Sequence, residues 1–215
     1  MDRSTGSVYF FDPGRRQSVR PEKRRERYER ILDAAREQFR TYGYRKTSLE
    51  EIATAAGVGK ATLYHYVEGK DQLLGDVLQR HYTQYVDRLR TELAEESSAP
   101  GKLRRYALVL MDQHRRVSEG LVVPRNSEQE NFPFIVKHLH RFAAVEMEIL
   151  ADVLRAGVES GTFRPVKERV VATLLFASFK GMIAHACQTR ADHEEIIEQF
   201  LSVLLNGLLA APAGR

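Results

Sequence analysis

Apolar residues along this chain recur at spacings of three and four, a period that predicts helices almost throughout. Tyr28, Leu32, Ala35, Phe39 and Tyr42 form a first stripe, and Gly43 follows as a C-terminal stop. Ser48-Leu49-Glu50-Glu51 has the spacing of a capping box, with the Ser48 hydroxyl accepting from the Glu51 amide and the Glu51 side chain reaching back. Ile52, Ala53 and Ala56 supply the buried side of a short second helix that ends near Gly57. A third runs from about Lys60 to Tyr66 with Leu63 inward. Beyond Gly69 a long helix carries Leu73, Leu74, Val77, Leu78, His81, Tyr85 and Leu89. Ser97 to Gly101 reads as a loop by composition. Further helices are expected from about Leu103 to Ser118, from Phe134 to Ser160 (Ile135, Leu139, Phe142, Val145, Ile149, Val153), from Val166 to about Thr189 and from Glu194 to about Leu209. Val122 to Pro133 is irregular, with room for one helical turn. No strand-like alternation of useful length interrupts this, so the expected fold is all-α, with about nine helices.

Charge changes the picture once it is located. The net charge of +4 is spread unevenly over the 215 residues. Residues 1–70 hold fifteen Lys/Arg against ten Asp/Glu, and the remainder eighteen against nineteen. Residues 15–30 alone hold eight basic residues (Arg15, Arg16, Arg20, Lys23, Arg24, Arg25, Arg27, Arg30) against Glu22, Glu26 and Glu29. A basic leader ahead of a near-neutral remainder suits a polyanionic partner, usually nucleic acid. Two readings stay open for the arm: a solvated tail, or a segment lying along DNA backbone or minor groove. No apolar run approaches the ~20 residues of a membrane-spanning helix, and Val8 to Phe11 is too short for a signal-peptide core. A soluble, cytoplasmic protein is expected. One cysteine, Cys187, leaves no internal disulfide and no multi-cysteine zinc site.

The block from Ser48 to Tyr66 carries the most information: a capped helix, a tight turn at Gly57-Val58-Gly59, and a second helix. Ala53 allows close crossing, Gly57 permits a positive φ, and Val58 and Leu63 fill the wedge. This is helix-turn-helix spacing, in which the second helix enters the major groove N-terminus first. The segments "ILDAAREQFRTYGYRKTS" and "TSLEEIATAAGVGKATLYHYVEGKDQLL" closely resemble the DNA-binding domain of the TetR (tetracycline-repressor-like) family of bacterial regulators, over roughly Arg30 to Leu78. Val67 stands where that family usually has Phe and fills the same apolar slot. "AGVESGTFRPV", Ala156 to Val166, followed by an apolar helix with Gly181, looks like the family's ligand-binding and dimerisation half.

Physics and resemblance together assign roles. Lys60, Ala61, Thr62 and His65 are candidates for reading base edges: Lys60 by donating to guanine, Thr62 by hydrogen bond or methyl contact, Ala61 against a thymine methyl. Tyr64, Tyr66 and Lys70 match phosphate-contacting positions of the family. Thr47 and Ser48 offer hydroxyls at a helix start, and Arg45 and Lys46 are further phosphate candidates. Tyr64 has an alternative as domain core, and Ser48 acts as a cap in either case. The expected organisation is a basic tail over 1–22, the helix-turn-helix domain over 23–69, and an effector-binding and dimerisation domain over 70–215.

The resemblance implies a repressor that binds a palindromic operator in double-stranded DNA as a homodimer and is released by a small-molecule effector. The last two helices are more apolar than one surface stripe requires. Leu175, Gly181, Ala184, Phe200, Val203 and Leu204 are expected at a four-helix dimer interface. By placement, Tyr85, Met111, His114, Phe132, His138, Phe142 and Phe179 are candidates for an effector pocket, a mixture that suits an amphipathic or aromatic molecule. Each of these has ordinary core as its alternative. Catalytic residues, cofactors and metals are not expected. His138 and His140 fall on different helix faces, and His81, His114 and His185 read as satisfied core histidines before they read as ligands. No His-Glu-x-x-His, Walker loop or nucleophile elbow is present. Two other readings compete: a non-enzymatic helical partner-binding protein, and a redox-responsive regulator using Cys187.

Overall fold

The computed structural model describes residues 21–120, 133–186 and 193–209, and within them the chain is helical with no strand. Eight helices follow in order: α1 Pro21–Tyr42, α2 Leu49–Ala55, α3 Lys60–Tyr64, α4 Lys70–Ala94, α5 Ala99–Gly120, α6 Pro133–Glu159, α7 Glu168–Ala186 and α8 His193–Leu208. The possible helical turn within 122–133 lies outside the described residues, as do residues 1–20 of the basic arm, Phe132 and Cys187. Lys23, Arg24, Arg25, Arg27 and Arg30 of the arm lie on α1 itself.

Two hydrophobic cores form, and α4 belongs to both. Ile31, Leu32, Ala35 and Phe39 of α1 pack on Ile52, Ala53, Leu63 and Val67, and Leu73, Leu74 and Val77 of α4 complete that cluster. Tyr85, Val86, Leu89 and Leu93, further along the same helix, enter the second core with Tyr106, Leu150, Leu154, Phe179 and Leu201. α4 is one unbroken helix of 25 residues, about 37 Å long at the α-helical rise. Polar contacts fasten its first half to α1. Tyr28 donates to Asp76 (2.6 Å), and Arg80 pairs with Glu29 (3.0 Å) and Asp33 (2.8 Å).

Local signals set most of the boundaries. Gly43, Gly57 and Gly161 adopt positive φ (82°, 65° and 72°) where helices stop, which a side chain would strain. The first stripe shifts, however. Tyr42 is exposed and Ile31 takes the core position, because α1 ends at Tyr42 and the reversal at Gly43 turns the buried Tyr44 inward instead. α5 starts at Ala99 rather than near Leu103. Ser98 caps it, its Oγ accepting from the Gly101 amide (3.1 Å), and Pro100 falls in the first turn, where its missing N–H has no helical partner to lose. After α6 the buried Phe163 ring rests against Gly157, where a Cβ would lie 2.2 Å from it.

Candidate nucleic-acid interface and sensor core

The capping box is formed as its spacing predicts. The Ser48 amide donates to Glu51 Oε2 (2.7 Å), and the Glu51 amide donates to Ser48 Oγ (3.2 Å). This fixes where α2 begins and hence how it delivers the chain to Gly57. Gly57 and Val58 then donate to the carbonyls of Thr54 (3.1 Å) and Ala53 (3.0 Å), closing the turn. α3 leaves it with Leu63 fully buried. On the other side of α3, Lys60, Ala61, Tyr64 and His65 face solvent, with Thr62 half-buried and His65 capping the helix end. Three of the four residues expected at base edges, Lys60, Ala61 and His65, therefore share one presented surface, and Tyr64 lies there rather than in the core. Arg45 and Lys46, in the loop before α2, are exposed.

Three of the expected phosphate contacts are engaged inside the domain. Thr47 is buried, and its hydroxyl donates to the Gly43 carbonyl (2.8 Å). Lys70 Nζ donates to the carbonyls of Tyr44 and Thr47 (2.9 Å each) and lies 4.4 Å from the centre of the Tyr44 ring. Tyr66 is buried and stacked on Tyr28 (5.7 Å). Thr47 closes the loop between α1 and α2 on itself, Lys70 ties that loop to α4, and Tyr66 holds the end of α3 against α1. Sequence periodicity could not show this for Lys70 and Tyr66, because their partners lie on other elements. The Glu50 carboxylate, given no role above, pairs with Lys60.

The C-terminal core holds a buried polar centre. Glu146 is 2% exposed; its Oε2 accepts from the hydroxyls of Tyr85 (2.9 Å) and Tyr106 (2.8 Å), and its Oε1 from Lys180 Nζ (3.0 Å). Burial, and then the neighbouring Glu146 charge, push both phenols far above the ordinary tyrosine range, so they stay protonated donors. Around this centre Tyr82 stacks on Phe142 (3.8 Å), and Phe179 meets Tyr106 and Phe200 (5.2 Å each). Glu146 escaped the sequence reading, although the row Phe142, Glu146, Leu150, Leu154 carried a signal: an acid inside an apolar i, i+4 series.

A cleft of about 500 Å³ lies between α4, α5 and α6, with Leu93, Val145, Ile149 and Val153 as apolar floor and Arg90 and Lys102 among its walls. None of the expected pocket residues whose side chains are described lines it. Tyr85, Phe142 and Phe179 are core, Met111 packs half-buried against that core, and His114 is half-buried on α5. Aromatic rings at these positions close on each other instead of facing a void. Phe132 and the His138 side chain lie outside the described residues. His81 contacts Gln113 (2.7 Å) across the α4–α5 seam, and burial, then the nearby Arg36, Arg116 and Arg80, lower its pKa. Among the described residues no group of three or more His, Cys, Asp or Glu is placed to hold a metal, and no helix is long and apolar enough to cross a membrane.

The dimer residues also divide. Leu175 is buried in the protomer's own core, and Phe200 and Leu204 are half-buried against it. Val203 is 76% exposed, and open space surrounds Gly181. The Ala184 side chain is outside the described residues. Val170 and Leu174, absent from the expected set, are exposed on α7 and share a face with Gly181 at i, i+4 and i+11.

A capped helix, a glycine turn and a short helix with one face buried and the other polar define a helix-turn-helix DNA-binding protein. Residues 31–77 match the family model for bacterial regulatory proteins, tetR family. The fatty acid metabolism regulator protein of Bacillus subtilis is 27% identical over 146 residues, 66% of this chain and 73% of its own. The transcriptional repressor KstR2 of Mycolicibacterium smegmatis is 26% identical over 205 residues, 85% of this chain and 90% of its own. The crystal structure of the transcriptional regulator FadR from Bacillus subtilis in complex with stearoyl-CoA superposes with a TM-score of 0.61 at 21% identity, covering 84% of this chain and 98% of that one. Residues 31–77 thus carry the DNA-binding domain of the bacterial TetR-family regulatory proteins.

Proposed function

We propose that this regulator is a repressor that binds a palindromic operator as a homodimer and leaves it when a long-chain acyl thioester of coenzyme A occupies the C-terminal domain. The observation that carries the reading is the solvent-facing row Lys60, Ala61, Tyr64 and His65 on a helix whose opposite side is anchored by Leu63. In this reading Lys60, Ala61, Thr62 and His65 read base edges, and Arg45, Lys46, Ser48 and Tyr64 contact phosphate. Thr47, Tyr66 and Lys70 hold the turn in register beneath them. The exposed apolar residues of α7 and α8 support a two-fold partner, and KstR2's name supports repression.

The effector class rests on the relatives' names and on the cleft. A fatty acid metabolism regulator and a stearoyl-CoA complex stand among the similar proteins. The cleft joins an apolar floor for an acyl chain to two cations for phosphates. Its acidic residues Glu148 and Asp152 are taken up by Arg169 (3.3 Å) and Arg155 (2.7 Å). An acyl chain that spreads α4 from α6 moves one end of a helix whose other end is pinned to α1 by Arg80 and Asp76. The separation of the two reading helices in a dimer then changes, and the operator no longer fits.

Fluorescence anisotropy on a duplex from the protein's own upstream region tests this. Stearoyl-CoA should release the DNA, whereas coenzyme A alone should not, and Arg90→Glu should raise the concentration of stearoyl-CoA needed severalfold. Persistence of the complex at saturating stearoyl-CoA would exclude this effector class.

A further inference from the structure

Glu50 of α2 and Lys60 of α3 join their side chains across the helix-turn-helix through Oε1 and Nζ. Both remain open to solvent, 50% and 60% exposed. Their mutual hydrogen bond, first among the causes for each, lowers the Glu50 pKa and raises that of Lys60, so both are charged at neutral pH. So exposed a pair contributes little to folding. An acid here is also a liability on a surface that meets a polyanion, because it repels phosphate. Its position beside the first residue of the reading helix calls for another role.

We propose that Glu50 and Lys60 read a single base pair together, the ammonium facing the keto base and the carboxylate facing the amino base. This rests on the assignment of Lys60 to base reading. In the major groove a G·C pair presents the guanine O6 acceptor beside the cytosine N4–H donor, and those two groups are themselves hydrogen-bonded. The Glu50–Lys60 pair is the same arrangement with the roles exchanged, a donor beside an acceptor already bound to it. Set edge to edge, each side finds its complement and neither charge has to leave its partner.

Guanine N7, adjacent to O6, gives the ammonium a second acceptor, so G·C is favoured over T·A, which offers O4 and N6–H in that order but sets the adenine N7 acceptor on the carboxylate's side. The inverted pairs C·G and A·T set an amino group against the ammonium and a carbonyl against the carboxylate. Lysine alone tolerates any acceptor edge, and orientation selectivity comes from the acid. The repulsion Glu50 exerts on phosphate also weakens binding to sequences that lack the matching pair, which is how a discriminating residue lowers non-specific occupancy.

Operators selected from a random-sequence duplex library with the wild-type protein provide the consensus. Affinity is then measured on that duplex and on versions with each base pair inverted in turn, for wild type, E50Q, E50A and K60A. The wild type should lose on the order of tenfold on inversion at one position of each half-site. E50A and E50Q should lose no more than about threefold there, keep their penalties elsewhere, and bind random duplex more tightly than wild type. E50Q preserves the shape of the side chain, and circular dichroism checks that both variants fold. If K60A flattens one position while E50A and E50Q retain the full penalty there, Lys60 reads alone and the shared reading is overturned. If K60A flattens no position, the assignment of Lys60 to base reading falls, and the shared reading with it.

Discussion

Glu146→Ala should lower the stability of the C-terminal domain by about 2–5 kcal/mol, the usual range when one partner of a buried polar cluster is removed. Two effects add. The hydroxyls of Tyr85 and Tyr106 lose their acceptor deep in the core, where water does not replace it, and a cavity the size of a carboxymethyl group opens among α4, α5, α6 and α7. Lys180 suffers less, since its side chain is 41% exposed and can turn to solvent. Urea unfolding followed by circular dichroism measures the cost. Glu146→Gln should fall between the two proteins, because an amide oxygen still accepts from the phenols while the charge attraction for Lys180 is gone. A midpoint unchanged in Glu146→Ala would mean that the phenols find other acceptors and that the centre does not hold the four helices together.

The double substitution Leu174→Glu, Val203→Glu should convert the protein to a monomer and weaken operator binding by roughly two orders of magnitude or more, the scale on which linking two binding modules raises affinity. These side chains are 61% and 76% exposed on one protomer, so the protomer itself should lose no more than about 0.5 kcal/mol. Buried opposite a symmetry mate, however, each would place an unpaired carboxylate in an apolar seam. Sedimentation velocity reads the first effect and anisotropy on a full operator the second. Binding to an isolated half-site should be unchanged, which separates lost dimerisation from a damaged reading surface. A variant that still sediments as a dimer would move the interface elsewhere.

Legibility in this chain follows the range of the interactions. The Ser48–Glu51 box and the stops at Gly43, Gly57 and Gly161 depend on residues a few positions apart, and they stand where their spacing put them. The solvent-facing residues of α3 were legible for the same reason, since Leu63 decides which way a short helix turns. Tyr42 turns outward, and Leu175, Tyr85, Phe142 and Phe179 take the core alternative, because periodicity gives a face and not what covers it. On the DNA-binding side Tyr66 and Lys70 have partners inside the domain that periodicity does not reveal. A tyrosine or lysine near a turn reads as an outward contact until its partner, Tyr28 or the Tyr44 carbonyl, comes from another element.

By itself the amino-acid sequence determined an all-helical chain with a basic leader, a capped helix, a glycine turn and a short presenting helix. Those features rest on backbone propensity and contacts within one or two turns. The tertiary structure alone decided that Glu146 collects donors from three other helices, that Glu50 meets Lys60, and that one helix serves two cores. Such pairings join positions from ten to more than sixty residues apart. Which of many suitable partners a charge or ring meets is settled only when the helices pack and the buried polar atoms must all be satisfied at once.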